Sequence, residues 1–412
     1  MAGKWIKIIY EIVVTALEAG DYFFNAKKAN KAIKFIENFC HHSKGRNDLL
    51  KLELWQKAAV SVIFGCVDEQ NIRIFREVFI VIGRKNGKSL FASAIIAYMA
   101  YLEPEYGQEI YCLAPKLDQA ALVYDGFYQM VNSEEELKAE AKKRRSDIYI
   151  AETNTVIKPI AFNAKKSDGF NPQLVVCDEI AAWSGDGGLK QYEVMKSALG
   201  ARRQPIILSI STAGYVNDSI YDELMKRATQ FLKGSSKEKR LLPLLYMIDD
   251  VEKWNDIEEL KKANPNMGVS VTPEFFQEEI AVAEGSLSKR AEFLCKYCNI
   301  KQNSSIAWLE SQVVEKANGI RTVDGKENAV HIRRLPGLLR RRRHRSVTND
   351  RLNGGERGYR KRRRTLFVLS IFYATRPHRS TYSYGRHSIR HIRKEGRINS
   401  VRRKLRRLQR RI

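Results

Sequence analysis

Acidic residues nearly vanish from the last fifth of this chain. From His331 to Ile412 there are 28 Lys and Arg against 3 Asp and Glu, whereas the first 330 residues hold 44 of each sign. The whole formal charge of +25 therefore sits in the final 82 residues. Lysine is scarce there too: 3 Lys accompany 25 Arg, against 32 Lys and 12 Arg before His331. Amphipathic patterning lapses in the same stretch, apart from the run Leu366–Ala374. A single basic surface does not explain so abrupt a reversal. Two readings stay open: an arginine-rich arm for a polyanionic partner, or a change of reading frame near residues 328–336. Neither gives the tail an independent fold.

Other scarcities narrow the class. Six cysteines (Cys40, Cys66, Cys112, Cys177, Cys295 and Cys298) lie scattered, mostly in apolar runs. That excludes a disulfide scaffold and fits reduced, buried thiols in a cytoplasmic protein. Cys295-Lys-Tyr-Cys298 is a lone CxxC in helical sequence, which favours core packing over zinc or redox work. No apolar run is long enough for a bilayer. Leu90–Leu102 falls short of the roughly 20 residues needed, so no membrane partner is expected. Trp5–Leu17 carries Lys7 and Glu11, with Ile8, Ile9, Ile12 and Val13 at helical spacing, and reads as an amphipathic helix rather than a signal core.

Enough apolar residues remain for a packed core: 44% of the chain. Residues 1–50 read as two helices around the Gly20-Asp21 turn. Residues 51–245 alternate short apolar strands with helices, which argues a mainly parallel α/β sheet. The candidate strands are Glu77–Ile82, Glu109–Ala114, Leu174–Asp178 and Ile206–Ser211, with a hairpin from Ile148–Ala151 and Val156–Phe162. Asp118 is placed to cap one helix, and Asn217 or Asp218 another. Residues 246–310 are helical again, with Thr272-Pro273 as N-cap and first residue of a helix.

Chemistry concentrates at two strand ends. Gly83-Arg84-Lys85-Asn86-Gly87-Lys88-Ser89 follows the strand Glu77–Ile82 and opens a helix near Lys88. Unpaired N–H groups and the positive end of the helix dipole suit such a turn to cradle phosphate. Lys88 is assigned the β- and γ-phosphates, and Ser89 a Mg²⁺ ion. The loop is one residue shorter than G-x-x-x-x-G-K-[ST]. About ninety residues later, Leu174–Cys177 runs into Asp178-Glu179. A buried strand ending this way sets its acids at the carboxyl edge of a parallel sheet, beside the loop. Asp178 is assigned the Mg²⁺ shell, and Glu179 the attacking water.

These motifs resemble those of the terminase large subunits of tailed bacteriophages, over about residues 1–310. The family carries a deviant phosphate loop with Arg four residues before the Lys, and Arg84 and Lys88 match that spacing. The resemblance implies a P-loop ATPase in which Arg84 acts in cis on the γ-phosphate. Leu54-Trp55-Gln56 resembles the family's adenine-reading segment, with Gln56 on the base. Ser211-Thr212-Ala213-Gly214 resembles its coupling motif, giving Ser211, Thr212 and Gly214 the task of linking hydrolysis to movement. The Ala114-Pro115-Lys116 turn resembles the segment after the second strand. A trans-acting arginine is also implied; Arg144, Arg145, Arg202 and Arg203 are candidates with no spacing argument between them. The implied cofactors are ATP and Mg²⁺. The implied partners are double-stranded DNA, a portal protein, a small terminase subunit and further copies of the chain in a ring on the procapsid, in the cytoplasm of a bacterial host.

The family continues into a ribonuclease-H-like nuclease, whose two-metal chemistry needs several carboxylates. After His331 the only acids are Asp350, Glu356 and Glu395, and none ends an apolar strand. Residues 311–412 therefore read as a remnant or aberrant nuclease region with an Arg-rich tail, and endonuclease activity is doubtful. Two rival readings are a helicase-like nucleic-acid-dependent ATPase and a non-enzymatic Arg-rich nucleic-acid-binding protein.

Overall fold

The computed structural model of the protein describes residues 2–302, apart from 104, 163–168, 184 and 216, and the backbone of Arg321–Val323 and Lys326–Asn328. The remainder of 303–412, on which the nuclease-remnant and Arg-rich-arm readings fall, lies outside the described residues.

The chain opens with α1 (Lys4–Ala19). Ile6, Ile9, Tyr10, Val13 and Val14 are its buried positions, at the three- and four-residue spacing of one helix face. Gly20 ends it in the left-handed region at φ 80°. A two-residue strand β1 (Phe23–Phe24) leads into α2 (Ala26–Phe39), which Asn25 caps by accepting from Lys28 N–H. α3 (Leu54–Gly65) follows, and β2 (Cys66–Val67) pairs antiparallel with β1.

Then the alternation begins: β3 (Glu77–Val81), α4 (Lys88–Leu102), β4 (Glu109–Ala114), α5 (Leu117–Asn132) and the single turn α6 (Glu135–Lys138). After them come β5 (Ala141–Lys143), β6 (Ile148–Ile150), β7 (Thr155–Ala161), β8 (Pro172–Asp178), α7 (Gly185–Ala198), β9 (Ile206–Ser211), α8 (Ile220–Leu232) and β10 (Leu241–Leu245). Eight strands form one sheet in the order β10-β3-β9-β8-β4-β7-β6-β5. The first six are mutually parallel, and the hairpin β5–β6 extends the sheet antiparallel. β3, β9 and β10 are buried along their whole length, as strands covered on both faces must be.

The four motif-bearing strands lie where their apolar runs predict, to within two residues. Two strands of the eight-stranded sheet escape that reading. β10 contains Pro243, which argues against a strand, yet it sits at the sheet's edge, where a missing N–H is tolerated. β5 is short and polar and forms the opposite edge.

Two caps differ from expectation. α5 starts at Leu117 with Lys116 as N-cap, so Asp118 falls inside the first turn, where its charge faces the helix dipole instead of capping it. α8 is capped by Ser219, not by Asn217 or Asp218. The Ser219 side chain accepts from the backbone at the third helical residue, and Asp222 accepts from Ser219 N–H at 3.2 Å.

One hydrophobic core runs from Ile6 to Tyr246, joined by Cys295, and takes in α1 and α2, so the amino-terminal helices are built onto the sheet. A second, smaller core (Ile248, Leu260, Phe276, Ile280, Phe293, Tyr297 and Cys298 among its members) belongs to α9 (Ile257–Ala263), α10 (Pro273–Glu284) and α11 (Leu287–Lys296). Thr272 caps α10 with Pro273 at its start, as the sequence predicts. All six cysteines are buried free thiols. Burial pushes Cys295 up to about 11 and Cys298 well above its ordinary value, which leaves both as inert packing groups. Among the described residues no helix is long and apolar enough to cross a membrane.

Candidate functional site

The strand order β3-β9-β8 decides the geometry of the site. These three parallel strands end side by side, and each motif follows one of them. Lys88 starts α4 and is 8% exposed; its Nζ lies 3.1 Å from Glu179 Oε1. Ser89 Oγ donates to Asp178 Oδ2 at 3.3 Å. Thr212, just past the end of β9, donates from Oγ1 to the other Glu179 oxygen at 3.4 Å. Ser211 accepts at its hydroxyl from Ala181 N–H at 3.0 Å and donates to Thr212 O at 2.7 Å. A Cβ on Gly214 would lie 2.7 Å from Ala181 O, so only a glycine lets the segment after β9 approach the acidic one so closely. The structure thus brings Lys88, Ser89, Asp178, Glu179, Ser211, Thr212 and Gly214 into one contiguous site.

The phosphate loop has an inward and an outward side. Lys85 and Gly87 adopt left-handed backbone, at φ 66° and 79°, and flank Asn86, whose side chain is fully buried. Its Nδ2 donates to Gly83 O at 3.0 Å and Arg84 O at 3.1 Å, which ties the short loop across its own base. Gly83 N–H donates to Ala263 O at 3.0 Å, and Arg84 N–H to Lys296 O at 2.9 Å. These two amides therefore seat the loop on the helical region rather than face a phosphate. No hydrogen bond engages the backbone N–H groups of Lys85, Asn86 and Gly87 among the described residues. The Arg84 and Lys85 side chains are exposed.

Gln56 sits in the first turn of α3. It is buried, and its Oε1 accepts from Glu53 N–H at 2.8 Å, closing the capping box of α3. The neighbouring Trp55 reaches the phosphate loop instead, donating from Nε1 to Asn266, which in turn bonds Asn86.

Electrostatics distinguish the two acids. Burial is the largest influence on Asp178, and the Glu179 charge adds to it; Lys88, the Ser89 hydroxyl and Glu179 N–H oppose them. The net effect pushes Asp178 up to about 6. Glu179 is more open, at 45% exposure, and its backbone is left-handed at φ 50°. A non-glycine residue held there marks a segment that its surroundings constrain. Among the described residues, no three His, Cys, Asp or Glu side chains converge on a common point. The hydroxyl and carboxylate oxygens of Ser89 and Asp178 suit a hard divalent cation that takes its remaining ligands from phosphate oxygens and water. A raised carboxylate beside a second acid fits the same conclusion, because a cation would relieve both.

Residues 54–230 match the family model of the terminase large subunit ATPase domain. This stretch is a terminase large-subunit ATPase domain. The chain is 24% identical over 287 residues to the terminase large subunit of Lactococcus phage SK1, covering 66% of this chain and 51% of that one. It is 33% identical over 145 residues to protein YmfN of Escherichia coli K12, covering 35% of this chain and 31% of that protein. The crystal structure of the HK97 bacteriophage large terminase superimposes with a TM-score of 0.58 at 21% identity, over 66% of this chain and 55% of that one. The chain thus spans about half the length of the phage terminases it resembles, and 31% of protein YmfN.

Within the terminase domain the four candidate arginines separate cleanly. Arg202 and Arg203 precede β9 and so stand at the amino edge of the sheet, opposite the site. Arg202 is spent on carbonyls there, donating to Asn171 O and Tyr106 O at 3.2 Å and to Gly107 O. Arg144 and Arg145 follow β5, which runs parallel to β7, so they lie at the carboxyl edge, six places along the sheet from β3. Arg144 pairs with Asp147 and stacks over Tyr149.

Sequence reading missed three asparagines. Asn264 and Asn266 hold the phosphate loop. Asn299, buried and left-handed at φ 58°, accepts from Ala213 N–H at 3.2 Å and donates to Tyr246 O at 2.7 Å. Their one visible signal is the Asn264-Pro-Asn266 triplet, an ordinary turn pattern.

Proposed function

We propose that this chain is the ATP-hydrolysing motor subunit of a phage terminase, which moves double-stranded DNA into a procapsid. The observation that supports it is the meeting of Lys88, Glu179 and Thr212 within 3.1–3.4 Å, beside the Ser89–Asp178 pair. ATP would lie across the free amides of Lys85, Asn86 and Gly87, with Lys88 moving from Glu179 onto the phosphates. A Mg²⁺ ion at Ser89 and Asp178 would neutralise phosphate charge. Glu179, released from Lys88, accepts a proton from a water. That water's oxygen bonds to the γ-phosphorus as the bond to the ADP oxygen breaks, giving ADP and phosphate. Arg84, exposed at the loop, is the cis-acting candidate for charge on the transferred group.

Thr212 touches Glu179 and lies next to Ala213, which Asn299 holds. A change at Glu179 therefore has a direct route into the helical region, which suits Ser211, Thr212 and Gly214 to coupling. DNA, the portal, the small subunit, neighbouring copies in a ring and the host cytoplasm complete the proposal through the family resemblance. Arg145 is the better-placed candidate to reach a neighbour's nucleotide, since it shares the site's edge of the sheet and Arg144 is engaged.

The test is ATP hydrolysis by the full chain with and without double-stranded DNA. Wild type is expected to hydrolyse ATP faster with DNA, and Glu179→Gln to lose about 10²–10⁴ in rate while still binding ATP. Hydrolysis unaffected by Glu179→Gln would remove the proposal.

A further inference from the structure

The helical region after β10 contributes more than carbonyls to the seat of the phosphate loop. Asn264 ends α9 fully buried; its Nδ2 donates to Leu260 O at 3.0 Å and Tyr297 O at 2.8 Å, which locks its orientation. Its Oδ1 then accepts from Asn86 Nδ2 at 2.9 Å. A Cβ on Gly83 would lie 2.0 Å from that oxygen, so the loop's first glycine is required by the Asn264 carboxamide. Asn266 grips the other side of Asn86. Its N–H donates to Asn86 Oδ1 and its Nδ2 to Asn86 O, both at 3.0 Å. Ser270 donates from Oγ to Lys85 O at 2.6 Å. Pro265 stiffens the segment between the two asparagines.

We infer that Asn264 and Asn266, assisted by Ser270, are positioning residues for ATP binding, acting through Asn86. The inference rests on the ATPase reading above. Its physical content is a division of polar groups. The strut satisfies the loop's inward-facing groups: both ends of the Asn86 side chain, its carbonyl and the Lys85 carbonyl. Among the described residues the amides of Lys85, Asn86 and Gly87 stay unengaged, on a backbone that needs two left-handed residues to present them. Asn86 Nδ2 supplies the bonds across the loop's base, and the other contacts to Asn86 come from Asn264 and Asn266. Losing a buried carboxamide that anchors it lets the amides diverge from a common focus, and phosphate binding weakens with them.

The test uses the full chain, titrated with ATP and Mg²⁺, with thermal midpoint, nucleotide Kd, KM and kcat measured together. Asn264→Ala and Asn266→Ala are each expected to weaken ATP binding about tenfold. Asn86→Ala added to either is expected to cause little further loss, because the residues act as one unit. Ile280→Ala, in the helical region's own core and away from the loop, supplies a destabilised control and should leave Kd within about twofold. Ser270→Ala removes one exposed hydroxyl and should weaken binding about threefold with no change in thermal midpoint. It therefore reads out even where an asparagine variant fails to fold. ATP binding unchanged in Ser270→Ala and the asparagine variants, or equally weakened by Ile280→Ala, overturns the inference. If wild type binds no ATP, the ATPase reading falls instead.

Discussion

Glu77 and Asp178 are carboxylates of the same sheet, at the amino start of β3 and the carboxyl end of β8, and their surroundings drive them in opposite directions. Burial is the largest single influence on Glu77 and would raise it, but Arg227 and Lys196 together outweigh burial and hold it below the usual carboxylate range. Arg227 meets both its oxygens at 2.7 Å, Lys196 reaches one at 2.8 Å, and the Tyr192 hydroxyl donates at 2.8 Å. Asp178 has a second carboxylate beside it and one lysine, which leans on Glu179. Glu77 has a complete set of partners; the Asp178–Glu179 pair has two acids and one lysine between them. A protein holds an unfinished cluster of that kind at a cost in stability, and a ligand that completes it is the natural reason to keep it.

That contrast can be broken most forcefully at its finished end. Glu77→Ala leaves Arg227 partly buried, with Glu238 as its remaining carboxylate partner, and is expected to cost about 3 kcal/mol of unfolding free energy in a denaturant titration. Hydrolysis per folded molecule should persist; a loss of activity without a loss of stability would show that the amino edge is functional after all. Gly214→Ala probes the other end. Its Cβ would collide with Ala181 O at 2.7 Å and Ala181 Cβ at 2.8 Å, which is expected to cost about 1–3 kcal/mol. The displaced Ala181 would carry Glu179 with it, so kcat should fall more than KM rises. An unchanged kcat would detach the segment after β9 from the chemistry.

The smallest expected change in stability concerns Asp178 itself. Its folded value, about 6, lies above that of an unfolded aspartate. Ionisation therefore costs the ligand-free fold stability as pH rises through about 6, and the cost is absent near pH 4. Asp178→Asn should accordingly raise the thermal midpoint by a few degrees above neutral pH, leave it unchanged in acid, and abolish Mg²⁺-dependent hydrolysis. A lower midpoint at neutral pH would mean that Asp178 is a satisfied structural group like Glu77.

The same contrast explains what could be read in advance. β3, β8 and β9 are legible because strands buried on both faces are continuous apolar runs, and the polar residues that interrupt them at one end are the site. β10 is not legible, because Pro243 violates a strand rule that only an edge position relaxes. The expected cap of α8 was Asn217 or Asp218, and a third good capping residue, Ser219, follows them directly. The choice fell on Ser219, which completes a capping box with Asp222, and Lys301 grips Asp222 from the far end of the described chain at 2.6 Å. Gln56 illustrates the opposite case: a glutamine expected on adenine whose carboxamide oxygen is engaged at the start of its own helix.

From the linear order alone came the parallel α/β class, the phosphate loop and the Asp178-Glu179 pair, since each is a local pattern of apolar run, turn and polar side chain. Folding decided which strand ends became neighbours, which edge each arginine occupies, and that Asn264, Asn266 and Asn299 reach back to the site from beyond β10. Local pattern reports the partners a backbone segment needs. Which distant side chain supplies them depends on how the helices pack, and no short window of residues carries that information.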